Sequence, residues 1–364
     1  IFSMCGIFFY RKKKGEINDE EFERIKNNFF KIKYRGPDNS IFFLINKSIF
    51  IGFHRLSIND LSSNGSQPFI FEDNGFKNYL ICNGEIYNYK ELAKKYDIKL
   101  YSKSDCEIIY PLYKKIGIKN LCNEIDGVFA FLIYETATDN IIFARDIIGV
   151  RPAFISNNDN IFAISSESKA LVGICDNFIQ FNPMSYLTYT KDEFSINKYL
   201  SLEEWFINKK TINEVDSNYL LQIKDLFIKG INKRLLSDRN IGCLLSGGLD
   251  SSLVASILSN ELKKNGKKLR TYSVGMKGAT DLIAARKVAE YIDSEHHEFI
   301  IEEEDALESI KEVIYITETY DTTTIRASVG MYLLSKKIKD MGEDVVIFSG
   351  EGSDELLQGY LYFH

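Results

Sequence analysis

An α+β domain followed by an α/β domain is the fold class that this sequence predicts. Short apolar runs divided by turn residues fill its first half, whereas strands alternate with helices in its second. The length of 364 residues also exceeds what one hydrophobic core usually serves, so two domains are expected. Between the two rhythms lies a polar, irregular stretch holding the only tryptophan, Trp205. The expected limits are a first domain over 5–200, a linker over 201–217 and a second domain over 218–364.

In the first half, Ile7 to Tyr10 reads as a strand. Asn18 can cap a helix with Glu21 at the reciprocal capping-box position, and Phe22, Ile25, Phe29 and Ile32 follow at helical spacing. From Ser40 to Ile81, apolar runs alternate with the turn signals Asn46-Lys47, Asn59-Asp60, Asn64-Gly65 and Asp73-Asn74-Gly75, the pattern of antiparallel strands. A helix over Asp105 to Ile116 precedes strands at Val128 to Tyr134, Ile141 to Ala144, Ala153 to Ile155 and Ile161 to Ser165. Two sheets packed face to face, with helices outside, would bury these runs. The second half reads as helix (Asn218 to Leu236), strand (Ile241 to Leu245), helix (Ser251 to Lys264), strand (Arg270 to Val274) and helix (Asp281 to Ile292). A strand, two helices and a strand over Asp344 to Phe348 complete it. Such alternation implies a parallel, doubly wound sheet with ligands at the carboxyl ends of its strands.

Composition narrows the function classes. Lys and Arg number 45 against 51 Asp and Glu, a net charge of −6, and the basic residues form no stripe, so neither nucleic acid nor an anionic membrane is an expected partner. Six cysteines without a CxxC pair, and only four histidines, support neither a disulfide framework nor a zinc site. Arg11 to Lys14 follow the apolar opening residues instead of preceding them, the wrong order for a secretory signal, and no apolar run reaches membrane-spanning length. A soluble, cytoplasmic protein acting on small molecules is expected.

Two loops carry chemistry in the second half. Ser246-Gly247-Gly248-Leu249-Asp250-Ser251-Ser252 lies between an apolar strand and an amphipathic helix. Glycines let backbone N–H groups approach an anion, and the serines add hydroxyl donors at a helix N-terminus, where the macrodipole favours phosphate. The loop lacks the spacing of a P-loop. Ser349-Gly350-Glu351-Gly352-Ser353-Asp354-Glu355 also leaves the end of an apolar strand. Its three carboxylates repel one another unless a cation sits among them, and Mg²⁺ carried by ATP suits them.

With Arg239 to Leu245, Tyr272 to Met276 and Glu318 to Ser328, these loops resemble the ATP-pyrophosphatase enzymes, and among them the asparagine synthetase family. That resemblance implies that Ser246, Gly247, Gly248, Asp250, Ser251 and Ser252 bind pyrophosphate, with Asp250 and Asp354 holding Mg²⁺. Leu244, Val274, Ser349 and Gly350 would line the adenylate, and Glu351 would lie beside the acyl-adenylate.

Cys5 stands near the start of the chain. An N-terminal cysteine carries its own general base, the α-amine, so it needs no histidine, and His54 is the one histidine of the first half. Arg35-Gly36-Pro37-Asp38, His54 to Ile58, Gln67-Pro68-Phe69, Asn83 to Asn88, Ser104 to Glu107, Asp126 to Phe131 and Ala144-Arg145-Asp146 with Gly149 resemble the class II glutamine amidotransferase domain. The implied fold is the four-layer αββα arrangement of N-terminal-nucleophile hydrolases. By that resemblance Arg55 pairs with the glutamine α-carboxylate, Asp105 and Glu85 hold its amino group, and Leu56, Ser57, Ile58 and Asn59 complete the site. Asn83 and the Gly84 N–H would form the oxyanion hole for attack by Cys5.

Together the halves resemble the glutamine-hydrolysing asparagine synthetase family. The implied reaction converts ATP, L-aspartate and L-glutamine into L-asparagine, AMP, diphosphate and L-glutamate through a β-aspartyl adenylate, and a homodimer is the implied assembly. In this sequence Ile1-Phe2-Ser3-Met4 precede Cys5, and removal of Met4 is expected to free its amine. The family continues beyond His364 with further helices and a catalytic lysine, so the chain is expected to be C-terminally incomplete. A β-lactam synthetase type of amidotransferase, a glutaminase alone, or a non-catalytic relative are the alternatives.

Overall fold

The computed structural model describes residues 4–191, 193–201, 203 and 217–361. Most of the expected linker, with Trp205, and the residues at both chain ends lie outside that set. The chain forms two compact units, divided after residue 212.

Two six-stranded antiparallel sheets build the first unit. The first contains β1 (Gly6–Lys12), β2 (Asn39–Asn46), β3 (Ile49–Arg55), β8 (Phe154–Asn157), β9 (Ile161–Ser165) and β10 (Ile179–Gln180), in the order β10-β8-β9-β1-β3-β2. The second contains β4 (Phe69–Asp73), β5 (Phe76–Ile86), β6 (Gly127–Glu135), β7 (Asn140–Arg145), β11 (Ser185–Tyr189) and β12 (Phe194–Lys198), in the order β12-β11-β7-β6-β5-β4. Strand β1 is apolar from Ile7 to Tyr10 because both of its faces are buried there, and it ends in the half-buried Arg11 and Lys12. Ile7 and Phe9 enter the core between the sheets, and Phe8 and Tyr10 enter a second core against helix α1 (Asp19–Phe30). The helix approaches closely enough that a Cβ on Gly52 would stand 2.6 Å from the Phe29 ring. On the outer face of the other sheet lies the helix Ile109–Glu124, with Tyr110 stacked on Phe71 at 4.5 Å and Lys114 paired with Glu135 at 3.1 Å. Helix, sheet, sheet and helix thus form the four expected layers.

Local signals account for several details. Asn18 accepts from the Glu21 N–H at 2.9 Å while the Glu21 carboxylate accepts from the Asn18 N–H at 3.1 Å, the reciprocal cap that the spacing predicts. Asn74 and Gly75, with φ of 51° and 81°, close the β4–β5 hairpin. Asn59-Asp60 and Asn64-Gly65 differ from expectation, because they lie within one long loop between β3 and β4 instead of turning between strands. Its polar side chains bond inward: Asp60 accepts from the Ser62 and Lys103 N–H groups, and Gln67 makes paired hydrogen bonds with the backbone of Cys82. The helix expected from Asp105 begins as a 3₁₀ turn over Asp105–Ile108, runs on to Glu124 and breaks at Gly117, whose φ is 77°. The short helix Tyr89–Lys95 and strands β10 to β12 go beyond the sequence reading.

The second unit is a parallel four-stranded sheet of β13 (Ile241–Leu244), β14 (Arg270–Gly275), β15 (Glu295–Ile300) and β16 (Val346–Phe348), ordered β15-β14-β13-β16. Helices Leu249–Lys264 and Thr280–Ile292 cover one face through Val254, Leu258 and Ala289. Helix Thr322–Met341 covers the other through Leu334 and Ile338. Strand order reverses between β13 and β16, and such a switch point leaves a crevice at the strand ends where open α/β sheets bind ligands. Near the opposite ends of the strands, buried Asp344 accepts from Arg270 at 2.6 and 3.0 Å and from the Tyr272 hydroxyl at 2.7 Å, tying β14 to the segment leading into β16.

Candidate active sites

Strands of both sheets in the first unit end at one small pocket. Cys5, immediately before β1, lines it with Arg55 from the end of β3, Leu56, Ile58 and Asn59 from the following loop, and Asn83, Gly84 and Glu85 from β5. Asp105 closes it from the 3₁₀ turn. All the expected glutamine-site residues therefore meet here except Ser57, which stands behind the wall with its N–H donating to Asp38 at 2.7 Å.

The pocket is built from buried polar groups, each held by partners. The Cys5 carbonyl accepts from Arg35 Nε at 3.0 Å, and Arg35 is fixed in turn by Glu167 at 2.6 Å. Burial works against the Glu167 carboxylate, but Arg35, Lys169 and Tyr34 together hold its pKa below the usual carboxylate range. In the amide orientation that satisfies both neighbours, Asn83 donates to the Cys5 carbonyl at 3.1 Å and accepts from Arg35 at 3.2 Å. Arg55 donates to the Ser62 carbonyl at 2.8 Å, to the Ser66 hydroxyl at 3.0 Å and to the Asp60 carbonyl. Gly65 leaves room for it, since a Cβ there would stand 2.5 Å from Arg55 Nη2.

Two titratable groups are shifted strongly. Burial pushes the Cys5 thiol up to about 11, although the Leu56 N–H and the charges of Arg151 and Arg35 pull the other way. With Met4 still attached, the thiol is protonated and has no amine beside it. Burial also pushes Asp105 up to about 6, against hydrogen bonds from the Ile86 N–H at 2.6 Å and the Asn59 amide at 3.2 Å. An ammonium group bound against Asp105 would offset that burial.

His54 takes no part in this chemistry. Its ring stacks on Phe29 at 3.8 Å, and its Nε2 donates to the Phe29 carbonyl at 3.0 Å, which leaves Nδ1 to accept from the Ser40 hydroxyl at 2.8 Å. Burial lowers its pKa to about 4, so it stays neutral near pH 7.

Arg151 is the charged pocket residue that the sequence reading missed. It follows Gly149 and precedes Pro152, a context that reads as an ordinary turn. Asp146 folds that turn inward by accepting from the N–H groups of Gly149, Val150 and Arg151 at 2.7, 2.9 and 3.0 Å.

At the switch point of the second unit, Leu244, Ser246, Asp250, Ser251, Val274, Ser349, Gly350, Glu351 and Asp354 line one cleft. The two loops touch, because a Cβ on Gly350 would lie 2.9 Å from the Ser251 nitrogen. Ser246 and Ser251 hydroxyls are 3.0 Å apart at the start of helix Leu249–Lys264, whose N-terminal dipole faces the loop. Gly247, Gly248 and Ser252 stay out of the lining. Gly247, at φ of 82°, turns against Ala284 and Ala285, and the Ser252 hydroxyl bonds the Gly248 carbonyl at 2.6 Å. Met331 and Leu334, which no motif marked, add an apolar wall.

The chemistry of the donor set suits a hard divalent ion, since Asp250, Glu351, Asp354 and Glu355 all reach the cleft. Among the described residues no three acidic, histidine or cysteine side chains form a complete metal site. Phosphate oxygens would have to complete the shell, as is usual for Mg²⁺.

Residues 4–205 match the family model of the glutamine amidotransferase domain. The chain belongs to that family. Residues 222–364 match the family model of asparagine synthase. Relatives include the asparagine synthetase [glutamine-hydrolyzing] of Cricetulus griseus, 42% identical over 363 residues, and that of Homo sapiens, 41% identical over 362 residues. Each match covers 92% of this chain and 64% of the relative, so the chain spans just under two thirds of the length of those proteins. No helix among its described residues is long and apolar enough to cross a membrane.

Proposed function

We propose that this chain carries the glutaminase and adenylating parts of a glutamine-hydrolysing asparagine synthetase. The observation that carries the reading is the convergence of eight expected residues around Cys5 in one unit and nine around the switch-point cleft in the other. The glutaminase domain corresponds to 5–200 and the synthetase domain to 218–364, with 201–217 as linker.

After loss of Met4, the Cys5 amine accepts the thiol proton and sulfur attacks the glutamine amide carbon. The Asn83 amide and the Gly84 N–H stabilise the oxyanion, ammonia leaves, and water hydrolyses the glutamyl thioester. Arg55 fixes the substrate carboxylate, while Glu85 and Asp105 fix its amino group. In the second unit the aspartate β-carboxylate attacks the α-phosphate of ATP, diphosphate leaves toward Ser246 and Ser251 at the helix N-terminus, and ammonia displaces AMP from the β-aspartyl adenylate. Mg²⁺ held by Asp250 and Asp354 would neutralise phosphate charge there. Leu244 and Val274 suit the adenine side of the cleft, and Glu351 suits the acyl group. A cytoplasmic homodimer is the setting that the family resemblance supports.

The test is an assay of the chain beginning at Cys5. It should release glutamate from glutamine, and Cys5→Ala should abolish this while leaving ATP binding unchanged; equal loss of both would contradict the assignment. AMP formation with aspartate, compared against other carboxylic acids, separates this reading from a β-lactam synthetase type.

A further inference from the structure

Arg151 has no role in the reaction just described, yet its guanidinium lies at the nucleophile end of the pocket. Nη2 stands 3.4 Å from Glu85 Oε1, Nη1 contacts the Met4 sulfur, and Nε is buried with no hydrogen-bond partner among the described residues. Met4 is bonded to the Cys5 nitrogen, so the guanidinium rests against the very residue whose removal turns that nitrogen into an amine.

We propose that Arg151 is a positioning residue whose positive charge keeps the freed Cys5 α-amine unprotonated and therefore able to act as the base. This rests on the glutaminase reading above. An α-amine ordinarily titrates at about 7.7–8.0, so near neutral pH most of it would be protonated and unable to take the thiol proton. A cation a few ångströms away disfavours the protonated form, and burial strengthens the effect.

Other charges also face this point. Arg35 is neutralised by Glu167 at 2.6 Å, and Arg55 is wrapped by the loop around Asp60, Ser62 and Ser66. Glu85 and Asp105 oppose the cations, and Glu85 meets Arg151 only at 3.4 Å. The thiols of Cys82 and Cys106 also line the pocket. Arg151 is thus the pocket cation whose guanidinium contacts Met4, the residue joined to the Cys5 nitrogen. Asp146 holds its backbone N–H at 3.0 Å, so the side chain can be changed without untying the turn.

The experiment compares chains beginning at Cys5 with Arg151, Arg151→Lys, Arg151→Met and Arg151→Gln, each checked for wild-type thermal unfolding. The pH dependence of kcat/KM for glutamate release is measured from about pH 5 to 10. In the neutral variants the acid limb should move up by about one pH unit, roughly a tenfold loss on the acid side, with rates converging at alkaline pH. Arg151→Lys should keep the limb near its wild-type place. A uniform loss across pH, or a higher KM with the limb unmoved, would overturn the proposal. An inactive parent chain would instead count against the glutaminase reading. The titration of the Cys5 α-amine, followed by its ¹⁵N chemical shift in selectively labelled protein, then still tests Arg151, since the neutral variants should move its midpoint upward and an unchanged midpoint would refute the role.

Discussion

The two sites are built in opposite ways. Around Cys5 the polar groups are buried and bonded to one another, with Asn83, Asp105 and Arg55 only 1, 4 and 7% exposed. At the switch point the polar groups of the cleft belong to loops open to solvent, and Leu249 beside them is 82% exposed. The first site is held in shape by packing between two sheets, so its groups are pre-aimed at a small substrate. The second presents backbone N–H groups, hydroxyls and a helix dipole along a crevice, an arrangement suited to a large, highly charged ligand that brings its own cation.

That contrast can be broken by substitutions whose effects should stay within one unit. Asn83→Ala removes one proposed oxyanion donor and should cost about 3 kcal/mol of transition-state stabilisation, a hundredfold or more in glutaminase kcat, with ATP binding unchanged. Steady-state kinetics with nucleotide titration would check both. Gly247→Ala asks an L-residue to adopt φ of 82° with its Cβ 2.4 Å from the Ala285 nitrogen. It should destabilise the second unit by ~1–3 kcal/mol, weaken nucleotide binding and spare glutaminase, as thermal unfolding beside the two assays would show.

The buried pocket should also respond to acid. Asp105 titrates at about 6 in the free site, so the folded protein holds this proton more tightly than the unfolded chain does. Its share of stability is therefore present at low pH and falls as pH rises through about 6, by the sign of proton linkage. A glutamine ammonium favours the ionised carboxylate, so glutamine binding should release protons near pH 5 to 6 and weaken up to about tenfold per unit below that. Calorimetry in buffers of different ionisation enthalpy measures this, and a pH-independent KM would count against Asp105. Asn18→Ala, which removes the reciprocal cap of α1, should cost only about 1 kcal/mol and leave both assays untouched.

The same contrast governs what could be read from sequence. Asn18 with Glu21, Asn74-Gly75, and the serine loop between a strand and a helix are local signals whose physics lies within a few residues. Arg151 became a pocket residue only because Asp146 pulls its turn inward, and nothing local distinguishes such a turn from a solvated one. Strand β12 escaped notice because it is a short edge strand whose residues are mostly exposed, which weakens the alternation that marks a buried strand. The long loop after β3 read as turns between strands because its asparagines and serines bond to backbone in both settings.

Comparing glutamate release from the chain beginning at Cys5 with that from the chain retaining Met4, each verified by mass spectrometry, tests the account most directly. Hydrolysis of glutamine should appear only where Cys5 carries a free amine. Equal rates from the two, or an active preparation that retains Ile1, would contradict it.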